Sequence, residues 1–236
     1  MKKNEETILI TGGAKRLGLL LAKKSLELGY KVIIHYHSDS YNAPSELESY
    51  CKKGLVCFIQ HDLNNDPSEL ILKAKETGNT IVGLVNNASV FYKSNLLDLN
   101  SFNTVCKTNF TAPLYLSEKF YKEFGRGWII NITDANIHSL NVNYQNYRIS
   151  KLFLEELTRQ LAITFAPAIR VNAIAPGAML PSADEPEYYK KLAELIPLGF
   201  NNHLESFLET FSYLIKSEYV TGQIIKVDGG FSLISG

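Results

Sequence analysis

Residues 7–18 read TILITGGAKRLG, and the fold follows from how that stretch is parsed. Thr7 to Thr11 is a short β-rich run with no polar alternation, as suits a strand buried on both faces. Gly12 and Gly13 break it, and Leu17, Leu20, Leu21 and Leu28 then follow a helical pattern that Gly29 ends. Lys31 to Tyr36 is a second β-rich run, so the chain opens with a β-α-β unit whose first strand-to-helix turn carries glycines. Gly12 lets the backbone turn sharply and lets a phosphate come close. The helix start behind it offers free N–H groups and a positive dipole end to a pyrophosphate. Such a turn is either only a turn or a dinucleotide site, and its place in the first β-α-β unit favours the dinucleotide. The usual fingerprint would have another glycine where Arg16 stands, which sets a guanidinium beside the phosphates or the substrate.

The alternation continues outward. Pro44 to Lys53, Pro67 to Thr77, Asp98 to Lys107, Asn109 to Phe124 and Asn201 to Lys216 read as helices. Leu55 to Gln60, Ile81 to Val85, Trp128 to Ile132, Ile169 to Ala175 and Gln223 to Val227 read as strands. With no repeat, low-complexity tract or linker, residues 1–236 form one α/β domain, doubly wound about a parallel sheet. Ala178 to Gly199 is polar and proline-bearing, with a short helical piece at Glu187 to Leu195; its length marks a lid or binding loop.

Composition bounds the function. The 236 residues are 45% apolar and 20% charged, with 24 basic and 24 acidic side chains. That balance speaks against a nucleic-acid footprint or a membrane-seeking surface, and no run approaches a membrane span in length. No apolar signal segment follows the N-terminal lysines. The odd cysteines Cys51, Cys57 and Cys106 have no metal-ligand spacing and read as reduced thiols of a cytoplasmic protein, with no metal site expected.

Candidate site residues lie at the carboxyl ends of the strands, where ligands of such sheets bind. The second strand ends HYHSDS, residues 35–40, with no acid at its tip until Asp39. Lys15 reaches the same region, and the pair of features leans towards NADP over NAD, although Asp39 pulls the other way by one residue of register. His35 and His37 are otherwise ordinary strand-end residues. Asp62 either accepts from an adenine amino group or caps a turn. Asn86 and Asn87 have amides able to satisfy backbone groups where the sheet opens. Phe91 either overhangs the cleft, offering a face to a flat heteroaromatic ring, or folds back on the core. Tyr147 and Lys151 stand one turn apart on a helix continued by Leu154, Leu157, Leu161 and Phe165. An ammonium beside a phenol would lower the phenol's pKa and make it a better proton donor near neutral pH.

TGGAKRLG, Asp62, Asn86-Asn87-Ala88, Asn109, Tyr147 with Lys151, Pro176-Gly177 and TGQIIKVDGG stand in the order and spacing of the short-chain dehydrogenase/reductase family, from Thr7 to Leu233. The resemblance implies a seven-stranded Rossmann fold, a nicotinamide cofactor and a homotetramer or homodimer. It makes Tyr147 the proton donor, gives Lys151 the nicotinamide ribose and assigns Asn109 a water in a proton relay. Where most members carry a serine thirteen residues before the tyrosine, this chain has Asp134. That departure, Arg16, His35-Tyr36, the NNASVFY run at Asn86 to Tyr92 and a second tyrosine at Tyr144 resemble the pteridine reductase branch. The branch's arginine after the strand tip is replaced by Ser38.

The resemblance implies reduction of a dihydropterin or dihydrofolate C=N bond with NADPH, NADH being the lesser candidate. It gives the catalytic set as Asp134, Tyr147, Lys151 and Asn109, and the substrate contacts as Arg16, Ser89, Phe91, Asp134 and Tyr147. Cofactor contacts fall on Gly12, Lys15, Arg16 and Leu17, then His35, Tyr36, Ser38, Asp62 and Leu63. Asn87, Ala88, Ser89, Tyr147, Lys151, Pro176 and Gly177 complete them. For Asp134 the alternative is a cap or turn residue just past its strand. The competing functions are a carbonyl reductase, for example of 3-oxoacyl thioesters, and a non-catalytic dinucleotide sensor.

Overall fold

The computed structural model describes residues 5–37, 44–138, 142–181 and 186–234. Seven strands form one sheet in the order β3-β2-β1-β4-β5-β6-β7. They are β1 (Glu6–Ile10), β2 (Lys31–Tyr36), β3 (Val56–Gln60), β4 (Thr80–Asn86), β5 (Gly127–Ile132), β6 (Ile169–Pro176) and β7 (Ile224–Val227). Every pairing is parallel. The chain winds one way from β1 to β3 and the other from β4 to β7, so the switch point falls between β1 and β4, with Ile10 beside Val85. The strands carry few polar residues because both faces are covered. Leu9, Ile33, Leu84 and Ile129 point to one core, shared with Leu70 of α3 (Ser68–Glu76), Phe120 of α5 (Ala112–Phe124) and Leu154 of α6 (Gln145–Thr164). Ile8, Ile10, Val32 and Ile34 alternate to the other, against Leu21 of α1 (Arg16–Glu27) and Phe207 and Phe211 of α8 (His203–Lys216).

The expected helix over Pro44 to Lys53 divides into a 3₁₀ turn, Ser45–Leu47, and a short α2, Glu48–Lys52. The two helices expected over Asp98 to Phe124 are one continuous run: α4 (Leu99–Cys106), a π-helical segment (Lys107–Thr111) and α5. Proline supplies a reason for the widened turn. Pro113, at the start of α5, has no N–H to give the Asn109 carbonyl, so regular α-helical bonding breaks there. Asn109 therefore does not begin a helix; it is fully buried in mid-run. Asp98 is the cap, its Oδ1 accepting from the Ser101 N–H at 3.0 Å. In the long connection after β6, α7 spans Pro186–Leu195. Residues 182–185 of that loop, and Ser38 and Asp39, lie outside the described residues. No described helix is long and apolar enough to cross a membrane.

Candidate active site

The carboxyl ends of β1, β4, β5 and β6 converge on the glycine turn and on Tyr147. Gly12 has φ +60°, open to glycine at little cost, and a Cβ at Gly18 would collide with the Gly12 carbonyl. Asn87 ties the turn down, its Nδ2 donating to Thr11 O (2.9 Å) and Gly12 O (3.1 Å). The Thr11 hydroxyl accepts from the Asn87 and Ala88 N–H groups, both at 3.0 Å. Asn86 points the other way, into the core, where it donates to Asn131 Oδ1 at 2.8 Å. Of the two asparagines, one thus shapes the cleft and one holds β4 to β5.

α1 begins at Arg16 with no side-chain cap and no acid in its first turn, leaving a positive helix end facing the cleft. With the side-chain-free Gly12 and the cation of Lys15, the turn fits a pyrophosphate. Arg16 itself holds φ +52°, left-handed backbone that suits the glycine commonly found at this position. Its guanidinium donates to Pro181 O at 3.1 Å and to Leu180 O at 3.5 Å, bridging the turn to the connection after β6. The same connection is held at Met179 O by the Tyr189 hydroxyl of α7 at 3.0 Å.

His35 corrects its expected role in touching the cofactor directly. Only 2% exposed, it lies beneath the turn: Nδ1 accepts from the Gly12 N–H at 3.2 Å and Nε2 faces His61 O at 2.9 Å. That pairing requires the proton on Nε2. Burial pushes its pKa down to about 4, which keeps the ring neutral. Leu63 is likewise a core side chain, packed in the same cluster as Ile59 and Leu70, so its side chain does not reach the cleft. Asp62 takes the turn-capping alternative with Oδ1, which accepts from Asn64 N at 2.9 Å. His37, not assigned to the site from sequence, stands 3.6 Å from that same oxygen. His37, Asp62, Gln60 and Lys73 line a cavity of about 550 Å³ beyond the strand tips, and only the absence of an acid at the β2 tip hinted at it.

At the other end of the cleft, Asp134 follows β5 and Tyr147 lies in the first turn of α6. The Tyr147 hydroxyl donates to Asp134 Oδ2 at 2.9 Å. Oδ1 of the same carboxylate accepts from Asn136 N at 2.7 Å, so Asp134 caps its turn with one oxygen and meets the phenol with the other. Lys151 is buried, and its Nζ donates to Ile132 O at 2.8 Å. The nitrogen sits 5.8 Å from the centre of the Tyr147 ring. Phe91 is 57% exposed, stacked on Tyr144 (4.6 Å, 1°) and edge-on to Tyr147 (4.7 Å). It overhangs the cleft and does not fold back on the core.

One expectation is overturned here. The phenol's pKa is raised well above its usual value, not lowered: burial disfavours the phenolate, and the Asp134 carboxylate disfavours it further. The ammonium does not reach the hydroxyl because Ile132 O holds it lower down. Burial in turn raises the Asp134 carboxyl and lowers Lys151 to about 8. The Asn109 side-chain amide, for its part, is fully engaged within the protein. Its Oδ1 accepts from Val90 N (2.8 Å) and Ser89 Oγ (3.2 Å), and its Nδ2 donates to Val90 O (3.0 Å) and Ser150 Oγ (3.1 Å). All four positions of the amide are used. Asn109 is a clamp between the β4 turn and α6, and Ser150 passes it on to Tyr147 O at 2.6 Å. Pro176 and Gly177 close the cleft from β6, Pro176 O accepting from Ala135 N at 3.0 Å and Gly177 N donating to Val227 O at 2.8 Å.

A parallel sheet wound both ways, a glycine turn at its switch point and a tyrosine–lysine pair on the facing helix define a Rossmann-fold oxidoreductase. Comparison with known proteins is specific. Residues 12–232 match the family described as enoyl-(acyl carrier protein) reductase. The chain is 33% identical to a dihydromonapterin reductase of Enterobacter sp. (strain 638), covering 96% of each protein, and 29% identical to pteridine reductase 1 of Leishmania tarentolae, covering 95% of this chain and 96% of that one. The crystal structure of FolM alternative dihydrofolate reductase 1 from Brucella canis, complexed with NADP, superposes with a TM-score of 0.89 at 32% identity, covering 99% of this chain and 96% of the other. The chain belongs to the short-chain dehydrogenase/reductase family, in its pteridine reductase-like branch.

Proposed function

We propose that the protein is an NADPH-dependent reductase of a dihydropterin or dihydrofolate. The observation that carries this reading is the 2.9 Å hydrogen bond from the Tyr147 hydroxyl to Asp134. A C=N bond gains a hydride at carbon and a proton at nitrogen, and no oxyanion develops. A carboxylate beside the acid is tolerable in that reaction, whereas it would repel the alkoxide formed from a ketone. When bound, NADPH supplies the hydride.

Every other step belongs to side chains of this chain. Tyr147 holds the proton on its hydroxyl, and the raised phenol pKa keeps it there until a ring nitrogen accepts it. Asp134 orients the hydroxyl and takes part in resupplying the proton, the two titrating as a coupled pair. Lys151 adds positive charge under the phenol ring and an ammonium for the nicotinamide ribose. Phe91 covers one face of the pterin, and Arg16 and Ser89 meet its polar edge. Lys15, the free N–H groups at the start of α1, and the turn of Asn87 and Ala88 hold the dinucleotide, with Tyr36, Leu17 and Asp62 at its adenosine end. NADP bound to a structural relative supports the phosphorylated cofactor, and Lys73 supplies a cation in the cavity beyond the strand tips, set against Asp62 and Glu69. We read the protein as cytoplasmic and as a homotetramer or homodimer; exposed Leu97 and Leu99 at α4 and Phe153 on α6 support a second copy.

A carbonyl or enoyl thioester reductase is the second reading, favoured by the family description that the chain matches. NADPH oxidation measured with dihydrobiopterin and dihydrofolate, then with acetoacetyl and crotonyl thioesters, separates them. Turnover of the pterin or folate alone is expected. Turnover of thioesters alone rejects the reading, and tight NADPH binding without any turnover points to a sensor.

A further inference from the structure

The residue after the proton donor has no part in the chemistry so far. Arg148 lies in the first turn of α6 and is directed at the loop that follows β5. Its Nε and Nη2 both donate to the Ile137 carbonyl, at 3.1 and 2.8 Å. Ile137 is buried and stands three residues after Asp134, at the far end of the short turn that Asp134 caps through Asn136. The near end of that turn is held by Ala135 N to Pro176 O at 3.0 Å. Beyond Ile137, His138 sits 3.9 Å from Glu155, also on α6. The loop bearing the carboxylate and the helix bearing the phenol are therefore joined at Arg148, one residue from the hydroxyl whose 2.9 Å contact the reaction needs.

We propose that Arg148 is a positioning residue for the acid–base pair. By gripping Ile137 O with two N–H groups it fixes the Asp134 carboxylate against the Tyr147 hydroxyl, and it keeps a cation beside that carboxylate. A planar fork held by two bonds to one carbonyl loses little of its geometry to thermal motion, which a lysine ammonium could not match. Its charge also opposes burial: Arg148, Lys151 and the Tyr147 hydroxyl are the side chains that hold the Asp134 carboxyl down, all from α6, with the Asn136 N–H as the main-chain contribution. Without Arg148, burial would go less opposed and the carboxylate would be protonated at higher pH.

This inference rests on Asp134 and Tyr147 being the acid–base pair, and its test is kept separate from turnover. In protein labelled with ¹³C at the aspartate carboxyls, the Asp134 resonance, assigned with Asp134→Asn, is titrated in the absence of substrate and NADPH. Arg148→Gln keeps a donor for Ile137 and removes the charge; Arg148→Lys keeps the charge and removes the fork. The Gln variant is expected to titrate at higher pH than the wild type and the Lys variant close to it, while kcat falls at least ~10-fold in both because the alignment is loosened. Wild-type titration in Arg148→Gln overturns the proposal, and so does an equal shift in both variants, which would mark lost packing and nothing more. If the wild type turns over no pterin, the assigned reaction fails, yet the titration still decides whether Arg148 acts on Asp134.

Discussion

At the scale of the residue, the proposed function rests on one phenol held between burial and a carboxylate. Tyr147→Phe removes the only transferable proton at that point, and a fall in kcat of at least ~100-fold is expected in steady-state NADPH oxidation, with the melting temperature little changed. Asp134→Ser tests the branch-specific carboxylate by restoring the residue usual in the wider family. Reduction of a dihydropterin should drop by at least ~10-fold, and activity on a keto thioester, if any appears, should rise. Lys151 makes a prediction about stability. Burial holds its pKa at about 8, whereas an unfolded lysine titrates near ~10.4. The folded value is the lower one, so the lysine's contribution is full above the unfolded value and is lost as pH falls through about 8. Between those two pH values the unfolded chain binds the extra proton, and stability to urea should climb with pH; in Lys151→Met that part of the climb should vanish. That Tyr147, Lys151 and Asp134 would lie together was legible because one-turn helical spacing and the displaced serine are visible in a string of letters. The direction of the phenol's shift was not, since it depends on burial and on the Asp134 carboxylate that meets the hydroxyl, while the ammonium is held by Ile132 O, nineteen residues away.

Elements show where sequence logic holds and where it fails. The strands were legible almost to the residue, because runs such as Lys31 to Tyr36 are apolar between turn residues and buried on both faces. The π-helical segment was not legible. Helical periodicity on both sides of Asn109 suggested two separate helices, and only the missing N–H of Pro113 signals a continuous run with a widened turn. Asn109→Ala removes four hydrogen bonds and leaves Val90 N and O unpaired at a partly buried turn. Destabilisation of about 2–4 kcal/mol is expected from urea titration, well beyond that of an exposed substitution. Arg16 offers the opposite case. Its left-handed backbone costs about 1 kcal/mol that Arg16→Gly would recover, but the glycine's greater freedom when unfolded costs about 0.5–1 kcal/mol. Stability should therefore stay within about 1 kcal/mol of wild type. The bridge to Leu180 and Pro181 would be lost all the same, and KM for the pterin should rise while kcat changes less.

For the whole molecule, the order of strands determines where two ligands can lie side by side. The reversal of winding between β1 and β4 opens a crevice from the cavity around His37 and Lys73, past the glycine turn, to Tyr147 under Phe91. Which groups stand at the far end of that crevice was only half legible. The tip of β2 lacks an acid, but Lys73 comes from α3 and reaches His61 Nδ1 at 3.3 Å only through the packing of α3 beside β3. A cofactor bound along the crevice contacts elements from both halves of the sheet, so its binding energy adds to global stability. A ligand at one hundred times its dissociation constant stabilises the folded chain by about 2.7 kcal/mol. For a domain of this size each kcal/mol moves the melting temperature by about 2–4 °C, so saturating NADPH should raise it by about 5–10 °C. Lys73 favours a 2′-phosphate in a cavity that Asp62 and Glu69 also line, so NADH at the same concentration should give a smaller rise. Lys73→Glu should narrow the gap between the two cofactors without altering the melting temperature of the free protein by more than a degree or two. Equal shifts with NADH and NADPH in the wild type would show that the protein does not discriminate between them and would overturn the preference.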